Sequence, residues 1–225
     1  MDMKKIAGDK AAGYVKDGMV VGLGTGSTAY HMVNAVGEMV KNGLQIQAIP
    51  TSKATEAQAR ALGIPLLTID ELDHVDLAID GVDEIDPQFN AIKGGGGALY
   101  REKVVASMAK EVIWIMDESK LVEQIGAFHL PVEIAQYGAK QAIARMAAYG
   151  WQPELRVRDG RTFVTDNGNY IADLHLGAGF AIEDVFSKLN GMLGVLEHGL
   201  FLGMCKRMIV GCASGEVKII ENPSK

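Results

Sequence analysis

The sequence has few aromatic residues, only two cysteines and no excess of positive charge. Its 225 residues include 6 Phe, 6 Tyr and 2 Trp. There are 22 Lys and Arg residues and 28 Asp and Glu residues, which give a net charge of −6. An acidic protein does not attract nucleic acid or an anionic membrane over long range, so neither is expected as a partner. Cys205 and Cys212 form no C-x-x-C motif, which favours two reduced, buried thiols.

Long hydrophobic runs are missing as well. No stretch approaches the roughly 18 apolar residues that a membrane-spanning helix needs, and residues 1–10 lack the apolar core of a signal peptide. We therefore expect a cytoplasmic protein. A hydrophobic fraction of 48% with 22% charged residues is typical of a globular chain of this kind.

The first half of the sequence alternates short apolar segments with helical segments. The pattern predicts strands at residues 19–23, 45–49, 66–69, 77–79 and 112–116, and helices at residues 4–17, 28–41, 51–62 and 98–110. Strands that are apolar throughout and alternate with helices are typical of a parallel sheet covered on both faces. The expected fold class is therefore α/β.

The pattern changes near Gly126. Beyond it we predict strands at residues 131–134, 155–158, 170–176 and 195–202, and helices at residues 139–149 and 182–190. This β-α-β-β-α-β order is the split βαβ arrangement of a small α+β sandwich. Apolar strands at 207–212 and 217–220 then return to the first domain. We predict one domain of residues 1–126 plus 204–225, with residues 127–203 inserted into it.

A glycine-rich turn at residues 22–28 joins the first strand to a helix. The dinucleotide fingerprint fails here, because Ser27 stands where it needs glycine and no acidic residue ends the second strand. The Gly-Lys-Ser/Thr of a P-loop is absent too. What remains is a helix N-terminus with the hydroxyls of Thr25, Ser27 and Thr28, which predicts a site for an anion such as a phosphate monoester. A capped helix after a tight turn is the alternative.

Asp80 and Asp83 directly follow a predicted strand, at the end where open α/β sheets bind ligands. Turn formation by the Asp-Gly dipeptide is one alternative. A metal site that adds Glu84 and Asp86 is another. No histidine accompanies these carboxylates, and the nearby Lys93 would compete with a cation for them.

Four consecutive glycines, Gly94–Gly97, follow Lys93 and lead into a predicted helix. Glycine loses more conformational entropy on folding than any other residue, so a run of four indicates that something must approach the backbone closely. Their amides predict a nest for an anion or for a developing oxyanion. A flexible linker is the alternative.

Glu102 lies near the start of the helix predicted after the glycines, at the edge of an apolar face. Partial burial raises the pKa of such a carboxyl and a helix N-terminus lowers it, a combination that suits a general base. The alternative is a solvated glutamate favoured by the helix dipole. Lys120 follows the strand predicted at 112–116, and its side chain reaches either the ligand edge of the sheet or solvent.

Together these motifs resemble those of the type A ribose-5-phosphate isomerase family. The similar segments, in order and at matching separations, are residues 24–28, 80–85, 93–96, 101–103, 119–120, 164–169 and 199–201. The resemblance implies a Rossmann-like parallel-sheet domain with an inserted ferredoxin-like β-α-β-β-α-β domain. It also implies interconversion of D-ribose 5-phosphate and D-ribulose 5-phosphate, without metal or cofactor, in the non-oxidative pentose phosphate pathway and in a homodimer or homotetramer.

The resemblance further implies roles for individual residues. Glu102 would be the general base, with Asp80, Asp83 and Lys93 as further catalytic residues. The implied substrate-binding residues are Thr25, Gly26, Ser27, Thr28, Asp80, Gly81, Val82, Asp83, Lys93, Gly94, Gly95, Gly96 and Lys120. Two other functions stay open at this point: a non-catalytic sugar-phosphate sensor, and a nucleotide-dependent oxidoreductase, which Ser27 disfavours.

Overall fold

The computed structural model of the protein describes residues 2–225. The helices are α1 (Met3–Ala12), α2 (Ser27–Lys41), α3 (Lys53–Ala61), α4 (Leu99–Met108), α5 (Ala139–Ala148) and α6 (Ile182–Asn190). The strands are β1 (Val20–Leu23), β2 (Gln47–Pro50), β3 (Val75–Gly81), β4 (Glu84–Ile85), β5 (Ala91–Ile92), β6 (Ala109–Asp117), β7 (Leu130–Ile134), β8 (Pro153–Leu155), β9 (Val157–Arg158), β10 (Arg161–Thr162), β11 (Tyr170–Leu174), β12 (Val195–His198), β13 (Leu200–Phe201), β14 (Arg207–Gly211) and β15 (Val217–Glu221). Across residues 2–225, no helix has the length and apolar character that crossing a membrane requires.

The chain divides into two compact units. The first unit comprises residues up to 82, 101–120 and 203–225, and the second comprises residues 83–100 and 121–202. The domain boundaries predicted from the sequence stay a prediction. The second unit includes residues 83–100 and 121–126, which the sequence pattern assigns to the first domain.

The first unit contains a six-stranded sheet in the order β15-β14-β6-β3-β1-β2. All neighbouring strands are parallel except β15, which runs antiparallel to β14 at one edge. The strand order reverses at β1, which has β2 on one side and β3 on the other. Open α/β sheets bind ligands outside the carboxyl ends of the strands at such a switch point.

The two faces of this sheet pack against different helices, because side chains alternate along each strand. Val21 and Leu23 point into a core shared with α1 and α2. Gly22 and Ala78 lie on the opposite face, where α4 packs. A Cβ on Gly22 would lie 2.5 Å from Cγ1 of Val105, so glycine is what allows α4 to lie close to the sheet.

The second unit contains a four-stranded antiparallel sheet in the order β12-β7-β11-β8. Its chain order β7-α5-β8-β11-α6-β12 is the ferredoxin-like arrangement that the sequence predicts. A core of buried aliphatic side chains from the sheet and both helices includes Val132, Ile134, Leu174, Val185 and Leu189. A small sheet in the order β13-β5-β4 belongs to the same unit and leads directly to Lys93.

The strand predicted at 66–69 is wrong. Only Leu66 makes a bridge, to Ala48, and residues 69–71 form a 3₁₀ turn. The reason is local: the backbone N–H and the hydroxyl of Thr68 donate to the Glu71 carboxylate at 2.9 and 2.7 Å, which closes the turn. The helix predicted at 4–17 is also too long, since α1 ends at Ala12.

The single strand predicted at 195–202 is divided at Gly199. Before it, β12 pairs with β7, and after it, β13 pairs with β5. Gly199 donates to the Pro131 carbonyl at 2.8 Å, and its own carbonyl accepts from Lys93 N–H at 2.9 Å. Glycine permits this close approach of three segments, and the alternation of apolar residues alone does not reveal it.

Candidate active site

The turn after β1 is anchored by Asp80. The backbone N–H groups of Thr25 and Gly81 donate to Oδ1 of Asp80 at 2.8 and 2.7 Å. Gly24 N–H donates to the Ile79 carbonyl at 2.9 Å. A Cβ on Gly24 would lie 2.5 Å from Cα of Asp80, so only glycine fits there. The glycine-rich turn and the end of β3 are therefore held as one assembly at the switch point.

Helix α2 begins from this turn without a side-chain cap. Its N-cap is Gly26, with φ of 111°, a backbone conformation that favours glycine. The capped helix considered from the sequence is thus not what forms. Amides in the first turn of a helix have no intrahelical partner, and the helix dipole adds positive potential there. The N-terminus of α2 is therefore suited to bind an anion through its backbone.

The hydroxyls of this turn do not all face outward as the sequence suggests. The Thr25 hydroxyl lies 2.7 Å from that of Thr51 and donates to Ser52 Oγ at 2.8 Å. Thr55 Oγ1 donates to the Gly24 carbonyl at 2.9 Å. Thr28 is buried, whereas Ser27 is exposed. This cluster of hydroxyls from α3 and the segment before it stabilises the turn, which leaves backbone amides and Ser27 to face a ligand.

Glu102 lies in a narrow pocket of the first unit together with Asp80. Its side chain is on α4, on the face that packs against the sheet, and Glu102 is only 4% exposed. The pocket is lined by Gly24, Thr51, Asp80, Glu102, Val105 and Trp114. The solvated glutamate considered from the sequence is therefore wrong. Small residues at Gly22 and Ala78 bring α4 close enough to the sheet for the two carboxylates to share this pocket.

Three further predicted residues lie at the same edge of the first sheet. Gly81 is the last residue of β3, and Val82 follows it and is buried. Lys120 ends a short 3₁₀ turn directly after β6, which neighbours β3. The carboxyl ends of parallel strands share one edge, so Lys120 and Asp80 belong to the same rim.

In the second unit, the glycine run follows the buried Lys93 and is held by Asp83. Lys93 is 2% exposed, and its ammonium lies 5.2 Å from the centre of the Phe201 ring. Gly95 N–H donates to Oδ2 of Asp83 at 2.7 Å. Gly94 has φ of 98°, which favours glycine. Gly94–Gly97 is thus a hydrogen-bonded loop and not a flexible linker.

The chain is similar in sequence to the proteins of one known family. A family model described as ribose 5-phosphate isomerase A (phosphoriboisomerase A) matches residues 47–215. Ribose-5-phosphate isomerase A of Streptococcus gordonii is 53% identical over 221 residues, which cover 98% of both chains. The chain belongs to the ribose 5-phosphate isomerase A family.

Solved structures of ribose 5-phosphate isomerases agree with this assignment over nearly the whole chain. The enzyme from Plasmodium falciparum matches with a TM-score of 0.91 and 38% identity, covering 98% of each chain. A D-ribose-5-phosphate isomerase in complex with phospho-erythronic acid matches with a TM-score of 0.93 and 36% identity, covering 98% of this chain and 100% of that one. The family and the Rossmann-like α/β fold predicted from the motifs are therefore confirmed.

In this member of the ribose 5-phosphate isomerase A family, one residue near the first turn is missed by the sequence analysis. Lys4 Nζ donates to Oγ of Ser27 at 2.9 Å. This contact brings a positive charge from α1 to the start of α2. The two residues are 23 positions apart, and no spacing rule connects a lysine on the first helix with a turn after the first strand.

The acidic residues considered for a metal site have structural partners. Glu84 accepts from the N–H groups of Gly126 and Phe128 at 2.7 and 2.8 Å. Asp86 accepts from the N–H groups of Gln88 and Asn90, both at 2.9 Å. Among the described residues, no group of three or more His, Cys, Asp and Glu side chains is arranged to hold a metal ion. In this family member Glu84 and Asp86 stabilise loops of the second unit.

Proposed function

We propose that the protein is an aldose–ketose isomerase that interconverts D-ribose 5-phosphate and D-ribulose 5-phosphate. Membership of a family named for this activity supports the proposal. The structural observation that carries it is the burial of Glu102 beside Asp80, in a pocket at the switch point of the parallel sheet. A carboxylate removed from bulk water and held at the edge where open α/β sheets bind ligands is suited to proton transfer.

Glu102 is proposed as the general base. Isomerisation moves one proton between C2 and C1 of the open-chain sugar through a cis-enediolate. Glu102 takes the proton from C2 of the aldose and returns it to C1, so one carboxylate on one face of the substrate serves both transfers. The α4 backbone and the packing of the pocket hold this carboxylate in one position, which reduces the entropy lost in reaching the transition state.

Lys93 and the glycine loop are proposed to stabilise the negative charge that develops on O1 and O2. The ammonium of Lys93 and the amides of Gly94 and Gly96 are the proposed donors, and donors already oriented toward a developing oxyanion lower the barrier most effectively. Asp80 and Asp83 are proposed to assist opening of the furanose ring. Each carboxylate also accepts a hydrogen bond from a backbone N–H of one glycine-rich loop: Asp80 from Thr25, and Asp83 from Gly95. Each aspartate therefore also helps to position its loop.

The substrate phosphate is proposed to bind at the N-terminus of α2, through backbone amides, Ser27 and the ammonium of Lys4. A phosphate is remote from C1 and C2, so its binding energy serves to position the sugar. Gly26 as N-cap and the Lys4–Ser27 hydrogen bond support this assignment. Thr25 and Thr28 would contribute through their amides, and Lys120 through its position at the same sheet edge.

Replacing Lys4 by Met should raise KM for ribose 5-phosphate about tenfold, the effect of losing one hydrogen bond from a charged donor, with a smaller change in kcat. Steady-state kinetics measure both constants. Lys5→Met is the matched control, because Lys5 is exposed and pairs with Asp9 on the same helix. An unchanged KM in Lys4→Met would remove Lys4 from the phosphate site.

The proposed function is tested with the unmodified protein. We expect ribose 5-phosphate to be converted to ribulose 5-phosphate in the presence of EDTA, with exchange of the C2 proton into solvent. Loss of activity in EDTA that a divalent ion restores would contradict the metal-free mechanism. Binding of the sugar phosphate without proton exchange would instead support the sensor, and binding of NAD(P)H in a titration would support the oxidoreductase.

A homo-oligomer in the cytoplasm, acting in the pentose phosphate pathway, completes the proposal. Large apolar side chains on the second unit support self-association, since Tyr137 is 99% and Leu193 is 77% exposed. The Ala135 N–H donates to the Gly194 carbonyl at 2.9 Å, which brings the segments carrying these two side chains together. Sedimentation of the purified protein would distinguish a dimer or tetramer from a monomer. A monomer would contradict the proposed self-association.

A further inference from the structure

A buried ion pair lies directly behind the glycine loop of the second unit. Arg156 is 9% exposed, and its Nε donates to Oδ2 of Asp173 at 2.8 Å while Nη2 donates to Oδ1. Two parallel hydrogen bonds between a guanidinium and a carboxylate fix the plane of both groups. A buried pair of this kind adds little net stability compared with apolar residues of the same size. Net stability therefore does not explain why this ion pair is buried here.

The rest of the guanidinium binds the loop itself. Arg156 Nη1 donates to the carbonyls of Gly94 and Gly95 at 3.0 and 3.1 Å. A trans peptide is planar, so its N–H points away from its C=O. Fixing the Gly94 carbonyl directs the Gly95 N–H, which donates to Asp83. Fixing the Gly95 carbonyl directs the Gly96 N–H away from Arg156, in a loop where glycine would otherwise allow many orientations.

Other basic residues near the ion pair do not connect Asp173 to the carbonyls of Gly94 and Gly95. His129 Nε2 lies 3.4 Å from Oδ1 of Asp173, but burial lowers the pKa of His129 below its usual value, which disfavours the charged ring. Arg158 is exposed, stacks on the Phe163 ring at 4.3 Å and lies 3.5 Å from the Gly96 carbonyl. Arg156 is thus the buried cation that joins Asp173 to the loop.

We propose that Arg156, held by Asp173, is a positioning residue that orients the Gly96 amide for catalysis and keeps the Gly95 N–H on Asp83. The proposal rests on the proposed function, because it assigns the Gly96 amide to the charge that develops during isomerisation. A loop that must order itself in each turnover stabilises the transition state less than one already oriented. The pair therefore acts on kcat more than on KM.

Arg156→Lys tests the proposal first, because lysine keeps the charge but lacks the planar fork that reaches Asp173 and both carbonyls. We expect kcat to fall about tenfold per folded protein, with KM within about twofold, since one misdirected oxyanion donor costs up to about 10²–10³ in kcat. Arg161→Lys is the control, because Arg161 is exposed on β10, and it should keep wild-type kinetics. Equal kcat in Arg156→Lys and the wild type would overturn the proposal.

The double variant Arg156→Met with Asp173→Asn covers the case in which Arg156→Lys does not fold. Removing both charges together is tolerated better than leaving one buried and unpaired. We expect kcat to fall by a similar factor in this folded double variant. A purely structural role would change its melting temperature and leave kcat per folded molecule unchanged, which would contradict the proposal.

Hydrogen exchange separates this proposal from the proposed function. Without substrate, amide exchange over residues 93–97 should be faster in the double variant than in the wild type, because the loop has lost its buried donor. This result does not depend on any isomerase activity. Unchanged exchange over these residues would reject the positioning role even if the protein is an isomerase, and absence of isomerisation by the wild type would reject the proposed function alone.

Discussion

Glu102→Gln should lower kcat about 10²–10⁴-fold, the usual contribution of a general base, with a smaller change in KM. Glutamine has the same shape and keeps the packing of α4 against the sheet, but it does not accept the proton from C2. Conversion of ribose 5-phosphate to ribulose 5-phosphate measures the effect, and exchange of the C2 proton into solvent should fall by the same factor. Both are measured in EDTA.

Glu183→Gln is the control for Glu102→Gln. Glu183 also lies in the first turn of a helix, α6, but it is exposed. The control removes a negative charge that the helix dipole stabilises, and it leaves the pocket around Glu102 unchanged. Its kcat should match that of the wild type. Near-normal turnover in a folded Glu102→Gln variant would exclude Glu102 as the base and with it the proposed mechanism.

Gly24→Ala should lower kcat/KM about 10²-fold, because small displacements of a positioned group have effects of that size. The new Cβ would lie 2.5 Å from Cα of Asp80, which is backbone and cannot rotate away. The turn must move, and the hydrogen bond from Thr25 N–H to Asp80 is strained or lost. Overpacking of this kind also costs about 1–3 kcal/mol of stability, so thermal unfolding is measured together with the kinetics.

Gly191→Ala is the control for Gly24→Ala. Gly191 is the C-cap of α6 with φ of −95°, and the atom nearest to an added Cβ is the Ser187 carbonyl oxygen at 3.9 Å. An alanine there meets neither strain nor a clash, so activity and melting temperature should stay at wild-type values. Wild-type kcat/KM in Gly24→Ala would mean that the turn after β1 does not position substrate.

Much of the fold was predictable, because the signals that specify it are local. Short apolar segments between helical segments predicted the parallel strands and the β-α-β-β-α-β order, and α6 was predicted at 182–190, the bounds that the structure has. Predictions were wrong where a single tertiary contact overrode the pattern. Gly199 divides one predicted strand between two sheets, and the Thr68–Glu71 contact makes a turn out of another.

The candidate site was predictable in its residue types and less so in its geometry. A glycine run and a carboxylate directly after a strand can both be recognised from the sequence alone. Which hydroxyls face a ligand was not predictable, and Thr25 proved to bind Thr51 and Ser52. The degree of burial of Glu102 depends on the approach of α4 to Gly22, and no helical periodicity specifies that distance.

By itself the sequence determined the family and most of the order of elements, because these depend on residue type and short spacing. Only the tertiary structure decided which distant groups meet: Lys4 with Ser27 across 23 positions, Asp80 with Thr25 across 55, and Arg156 with Gly94 across 62. Such contacts form where the sheet and its packed helices bring remote backbone together. Their partners are chosen by geometry in three dimensions, which local propensity does not encode.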